Sequence, residues 1–248
     1  MKVALCFWGL TRSLNHTLAS IETCIFQPLR EAGIEYSIFL HTYTLYRPYT
    51  NVRAGEIGLQ LKNTAWKNLQ PTKSIVENQD IIDQSLQFEL YRMHGDPWGN
   101  DEPSVFTKPY ETLDNHIRAL RSLQQVTGLW TGSPEQFDAV MYLRPDVLYR
   151  RRFNIQWLQN LQEKTVLMSN FHLIDGCNDR FAIGKPSVMR VYGNRFTGAL
   201  EYSRRAPLHS ETYIRNVLDK NNINIQYIEF PFRRVRADGK VHQGDQSL

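Results

Sequence analysis

Cysteine is scarce in this sequence. Only Cys6, Cys24 and Cys177 occur, far apart and in no C-x-x-C pair. An odd, scattered set excludes a disulfide framework and a structural zinc module, and it fits a reducing compartment. Long apolar runs are missing as well. The run from Val3 to Leu10 has about eight residues, short of the ~20 a membrane-spanning helix needs, and no signal-peptide cleavage pattern follows it. No internal repeat, low-complexity tract or Gly/Ser/Pro-rich linker breaks the 248 residues, so one domain over 1–248 is expected. A large excess of one charge is absent too: 29 Lys and Arg face 25 Asp and Glu, for a net charge of +4. That is mild for a nucleic-acid binder, and no nucleic-acid partner is expected. With 42% hydrophobic residues the chain is long and apolar enough to bury a core, which excludes a disordered tail.

What is present reads as α/β. An apolar run, Lys2 to Trp8, has strand length, and Gly9-Leu-Thr-Arg-Ser13 separates it from a 3.6-periodic stretch over Leu14 to Ala32. Gly33 marks a helix stop, and Glu35 to His41 reads as a second buried strand. A helix between two buried strands implies a parallel pair with a right-handed crossover. Further helices are expected at Asp80–Met93, Tyr110–Thr127, Pro186–Phe196 and Ser210–Asn221. Strands are expected at Phe137–Leu143, Thr165–Ser169 and Ile223–Phe230.

Four stretches have the residue types for chemistry. The loop Gly9 to Ser13 lies between a strand and a helix N-terminus, where free N–H groups, Arg12 and the hydroxyls of Thr11 and Ser13 would suit a phosphate. Its spacing is neither GxxxxGK[ST] nor GxGxxG. The plain alternative is Ser13 as a helix cap and Arg12 as a surface charge. Val140 to Leu143 is an apolar strand ending in Arg144-Pro-Asp146, where proline stops the ladder and Asp146 would stand at a strand's carboxyl end, the usual ligand side of an open α/β sheet. There it would hold a divalent cation, or else pair with Arg144. Asp179, before the apolar run Phe181 to Gly184, is a candidate general base, although Asx-rich turns precede strands routinely. Glu211 in His209-Ser-Glu is a second candidate, with capping by Ser210 as its alternative. His116 reads as a helix-surface residue, and Trp98 in its Gly/Pro-rich loop as a ring that could stack on a sugar. Two basic clusters, Arg150-Arg151-Arg152 and Arg233-Arg234-Val-Arg236, are either solvated loop ends or attractors for an anionic ligand.

The order WGLTRS, IFLHTY, NHIRALRSLQQVT, YLRPDVLY, GCNDRFAIG and HSETY resembles small glycosyltransferase-like proteins of large algal DNA viruses and bacterial polysaccharide clusters, over about Val3 to Phe232. The resemblance implies a single GT-A-like domain with a mixed, mostly parallel central sheet. Its Rossmann-like nucleotide-binding half (about 1–150) would merge with an acceptor half (about 151–248). It implies a nucleotide-sugar donor, a glycan or glycoprotein acceptor, and Mn2+ or Mg2+ at an Asp-x-Asp. Here that position reads Arg144-Pro-Asp146, with only the last acid kept. Gly9, Thr11, Arg12, Ser13 and Arg144 would then contact the nucleotide, Asp146 the metal or diphosphate, and Asp179 or Glu211 the acceptor. The location expected is cytoplasmic, the host's if the chain is viral. Two alternatives are a sulfotransferase-like enzyme, which would use the Gly9–Ser13 loop but not Asp146, and a non-catalytic glycan-binding module.

Overall fold

The computed structural model describes residues 1–99 and 109–246. In chain order the elements are β1 (Lys2–Trp8), α1 (Leu14–Ile21), α2 (Gln27–Glu31), β2 (Glu35–Thr44), β3 (Tyr49–Asn51), β4 (Glu56–Leu59), β5 (Lys73–Asn78), α3 (Gln79–Asp83) and α4 (Glu111–Thr131). There follow β6 (Ala139–Leu143), β7 (Val147–Tyr149), α5 (Gln156–Gln159), β8 (Thr165–Ser169), β9 (Phe181–Gly184), α6 (Pro186–Gly193), α7 (Phe196–Ser203), α8 (Ser210–Lys220), β10 (Asn224–Ile228) and β11 (Phe232–Arg234). Seven strands form one sheet in the order β10-β8-β9-β6-β1-β2-β5. All pairings are parallel except those of β9, which runs antiparallel to both β6 and β8. The fold is therefore α/β with a mixed, mostly parallel sheet.

The sheet is buried on both faces because β1 is apolar at every position after Lys2. Val3, Leu5 and Phe7 face the core built with α1 and α2, and Ala4, Cys6 and Trp8 face the core built with α4 and α6. The long helix α4 supplies Leu113, Ile117, Leu120, Leu123, Val126 and Trp130 from one side, the expected 3.6-residue stripe. No described helix is long and apolar enough to cross a membrane.

Three expectations need revision. The helix over Asp80–Met93 is absent: α3 ends at Asp83 and a separate 3-10 turn occupies Phe88–Tyr91. The left-handed Gln87 (φ 45°) lies between them and breaks the helical path. The stretch Leu14–Ala32 is helical but passes through a π-turn, Glu22–Phe26, before Gly33 (φ 65°) ends it. Pro186–Phe196 is two helices, α6 stopping at Gly193 and α7 starting at Phe196. The Trp98 loop reaches into residues 100–103, which lie outside the described residues.

Candidate active site

The sheet reverses its winding at β1: β2 lies on one side and β6 on the other. In such sheets the crevice beyond the carboxyl ends of these strands is the ligand position. Residues Gly9 and Arg144 leave the sheet side by side there, since Phe7 pairs with Leu143. Gly9 has φ 91°, and a Cβ at that position would sit 2.9 Å from Nη1 of Arg144. Only glycine lets the guanidinium lie against the turn, with its carbon 4.7 Å from the Trp8 ring centre. The Gly9 N–H donates to Ser122 Oγ (2.8 Å), Ser122 Oγ is 2.7 Å from His41 Nδ1, and His41 Nε2 is 2.8 Å from Glu77 Oε2. Burial pushes the His41 imidazole down, and hydrogen bonding from His41 and Arg121 pulls Glu77 down to about 2. Both His41 and Ser122 are fully buried, which makes this Ser–His–Glu chain a brace for the turn rather than a nucleophile.

The antiparallel β9 brings the distant acid in. Leu143 pairs with Phe181, so continuing the register sets Arg180 opposite Arg144 and Asp179 opposite Pro145. A cleft of about 570 Å³ results, lined by Arg12, Arg144, Asp146, Asp179 and Glu211 together, with Trp98 and His116 on its wall. Gly9 lines a neighbouring recess of about 120 Å³ that shares Arg12 and Arg144. The structure thus brings six of the eight anticipated residues to one region. Thr11 and Ser13 are the exceptions. Both are buried away from the cleft, and Ser13 Oγ donates to the Val235 carbonyl (2.9 Å) instead of capping α1 or meeting a ligand.

At one end the charges are matched. Asp146 accepts from Arg144 Nε and Nη2 (both 3.0 Å) and from Arg12 Nη2 (2.9 Å). Arg12 also donates to Glu56 Oε2 (2.8 Å) and to Tyr49, so both terminal nitrogens of this side chain, 10% exposed, are engaged while its buried Nε has no hydrogen bond. Burial opposes ionisation of Asp146, but Arg144 and Arg12 outweigh it and hold the carboxyl well below the usual range. This bears on the expected cation. Among the described residues no three His, Cys, Asp or Glu gather as a cation site. The one acid kept from Asp-x-Asp already serves two guanidiniums at 3.0 Å or less, so a dication would enter beside two fixed positive charges. The residues present do not fit a resident Mn2+ or Mg2+, and the metal assignment to Asp146 is withdrawn.

The other end is unbalanced. Glu211, at the start of α8, is nearly buried. Desolvation, with Asp179 adding repulsion, pushes its carboxyl up to about 7. Asp179 is shifted the other way: burial opposes its charge, but Arg180, Arg144 and Arg195 keep it ionised. Arg180 Nη1 is 2.7 Å from Asp179 Oδ1, close as a charge contact although the oxygen gains no aligned hydrogen bond. His116 Nε2 and His209 Nδ1 are likewise buried without hydrogen bonds. His116 faces the cleft rather than bulk solvent, and burial pushes it down to about 3. The N-cap of α8 is His209, not Ser210; the Ser210 hydroxyl donates to the Glu211 carboxylate. Trp98 lies beside these groups, its ring centre 5.1 Å from His209 and 5.6 Å from His116.

Sequence reading missed Arg53 and Arg180, which also line the cleft; Arg234 and Arg236 on its wall belong to the cluster Arg233-Arg234-Val-Arg236, read from the sequence as either solvated loop ends or attractors for an anionic ligand. The other basic cluster is solvated: Arg151 pairs with Glu229 and Arg152 with Glu31, all exposed and none on the cleft.

No protein-family model and no curated protein matches the chain. Solved structures that align with it include mouse xyloside xylosyltransferase 1 (10% identity, 92% of this chain and 85% of that one, TM-score 0.43). Another is the galactosyltransferase LgtC in complex with donor and acceptor sugar analogues (13%, 91% and 73%, 0.44). A third is the glycosyltransferase GlyE of Streptococcus pneumoniae TIGR4 (10%, 92% and 45%, 0.42). Overlap at this level assigns no role to a residue; the cleft's own side chains carry the chemistry.

Proposed function

We propose that the chain transfers a glycosyl unit from a nucleotide-sugar to a hydroxyl of a glycan or glycoprotein. The observation that carries this reading is a single cleft at the switch point in which six guanidiniums lie together with two carboxylates of divergent acidity, Asp179 and Glu211. A sugar diphosphate has complementary parts, an anionic leaving group for the guanidiniums and a neutral ring. Trp98 offers an apolar face to that ring. Glu211 suits the base role better than Asp179, because its acidity lies near neutral pH while Asp179 is held ionised and weakly basic by arginines. In direct displacement, the acceptor oxygen bonds to the anomeric carbon while its proton passes to Glu211. The bond from that carbon to phosphate oxygen breaks, and the electron pair leaves with the diphosphate. Arg144 faces that developing charge, and Asp146 and Gly9 hold Arg144 in place.

The test is a panel of nucleotide-sugars with and without acceptor sugars, read as release of nucleoside diphosphate. Turnover with at least one donor is expected. Thermal stabilisation by adenosine 3′,5′-bisphosphate and by no UDP, GDP or dTDP would instead favour sulfate transfer. Binding of oligosaccharide with no nucleotide response would make the cleft a glycan-binding site.

A further inference from the structure

Six arginines line the cleft, and four have acidic partners there. Arg12 is matched by Glu56 and Asp146, Arg144 by Asp146, Arg180 by Asp179 and Arg234 by Asp245. Arg53 and Arg236 differ. Neither has a carboxylate at ion-pair distance among the described residues, and burial pushes both guanidiniums below the ordinary arginine value. Nor are they loosely strung. Arg53 is the middle residue of a 3-10 turn between β3 and β4, capped by Asn51 Oδ1 on Ala54 N–H (3.2 Å) and ended by Gly55 at φ 70°. Its guanidinium carbon lies 5.7 Å from the Trp98 ring centre. Arg236 begins the turn closed by Gly239 N–H on its carbonyl (2.9 Å), and its own N–H donates to Lys240 O (2.8 Å). Glu56 joins the two arms, since the carboxylate that accepts from Arg12 also accepts from Ala237 N–H (2.7 Å).

We infer that Arg53 and Arg236 bind the diphosphate of the donor in place of a divalent cation, so the chain binds nucleoside diphosphates without metal. The inference rests on the glycosyl-transfer reading. Two guanidiniums carry the charge of one dication, spread over planar N–H forks that match phosphate oxygens. Held near the cleft without a carboxylate partner among the described residues, they have none there to give up when an anion arrives. Asp146, in contrast, would have to surrender two arginines before it met a metal.

The experiment is calorimetric titration of the full chain with UDP, GDP and dTDP, once in EDTA and once in Mn2+. At least one nucleotide should bind in EDTA, with an affinity that Mn2+ changes by less than about twofold. Arg53→Ala and Arg236→Ala should each weaken it about tenfold or more, the range for a charge-assisted hydrogen bond, and the double variant more than either. Fewer neutralised phosphate charges should also flatten the salt dependence of binding in the double variant. Both side chains are partly solvated, so the variants should fold, and an unchanged thermal midpoint checks this. Binding only in Mn2+, or binding indifferent to both substitutions, would overturn the inference and leave glycosyl transfer standing. No binding of any nucleoside diphosphate or nucleotide-sugar in either buffer would overturn both.

Discussion

The two ends of the cleft are built on opposite principles. Around Asp146 every charge has an opposite partner: two arginines, two carboxylates and a tyrosine hydroxyl bind one another in a nearly buried network, with only Arg12 Nε left without a hydrogen bond. Around Glu211 the account stays open, with a carboxyl pushed up to about 7 and buried polar atoms on Asp179, His116 and His209 that make no hydrogen bond, although Arg180 stands 2.7 Å from Asp179 and His209 Nδ1 stands 3.4 Å from Glu211. Balanced groups fix geometry and resist exchange, whereas unbalanced ones are held at a cost that a ligand or a proton can relieve. Chemistry-bearing residue types stand at both ends. What separates scaffold from reactive group is whether the neighbours complete the residue.

The sharpest way to break this contrast is Glu211→Gln. As the base, its loss should lower turnover about 10²–10⁴-fold while nucleotide affinity holds, as seen in initial rates beside a titration. The same variant carries a stability signature. The folded carboxyl lies above its ordinary value of 4.5, so the protonated form favours the fold. That contribution is complete below the ordinary value and is lost as pH rises through about 7. Thermal midpoints should therefore show Glu211→Gln more stable than the parent at pH 8, on the order of 2–3 kcal/mol, and level with it near pH 4. A midpoint lower at pH 8 would place Glu211 among the balanced groups.

Asp146→Asn tests the other end. It strands two buried guanidiniums and should cost about 3–5 kcal/mol in urea unfolding, a scaffold's response. An unchanged unfolding midpoint with loss of Mn2+-dependent activity would restore the cation assignment. A smaller effect is expected of Gly9→Ala, where a side chain at φ 91° meets Arg144, at about 1–3 kcal/mol. Nucleotide binding should weaken with it, because Arg144 must move. Least of all, Arg151→Ala, on the exposed cluster away from the cleft, should change neither midpoint nor affinity. A clear loss of nucleotide affinity there would shift the anion site out of the cleft.

Local signals reached some of this and stopped at a physical boundary. The apolar run of β1, Gly33 and the α4 stripe are each decided within a turn or strand, and so were legible. Arg144-Pro-Asp146 was legible as a strand end for the same reason. Its meaning was not: whether Asp146 meets a metal or two arginines depends on Arg12, 134 residues away. His116 reads as a surface residue until the fold brings Trp98, Asp179 and His209 beside it. Arg53 sits in a short turn without periodicity, and nothing nearby announces that it lacks an acid. Ser13 invited a capping reading that its bond to Val235 cancels.

That last bond has a consequence for the order of assembly. Val235 is held twice, its carbonyl by Ser13 and its N–H by the Asp146 carbonyl (2.9 Å), while Ala237 is tied to Glu56. The strap from Phe232 to Asp245 thus ties together the loop after β1 (Ser13), the start of β4 (Glu56) and the turn after β6 (Asp146). The seven-stranded sheet is complete at Ile228, before the strap begins. A chain cut at residue 230 would keep every strand of that sheet and lose Arg236 together with the clasp on Ser13, Glu56 and Asp146. Forming the sheet and closing this side of the cleft are thus separable events, the second belonging to the strap alone.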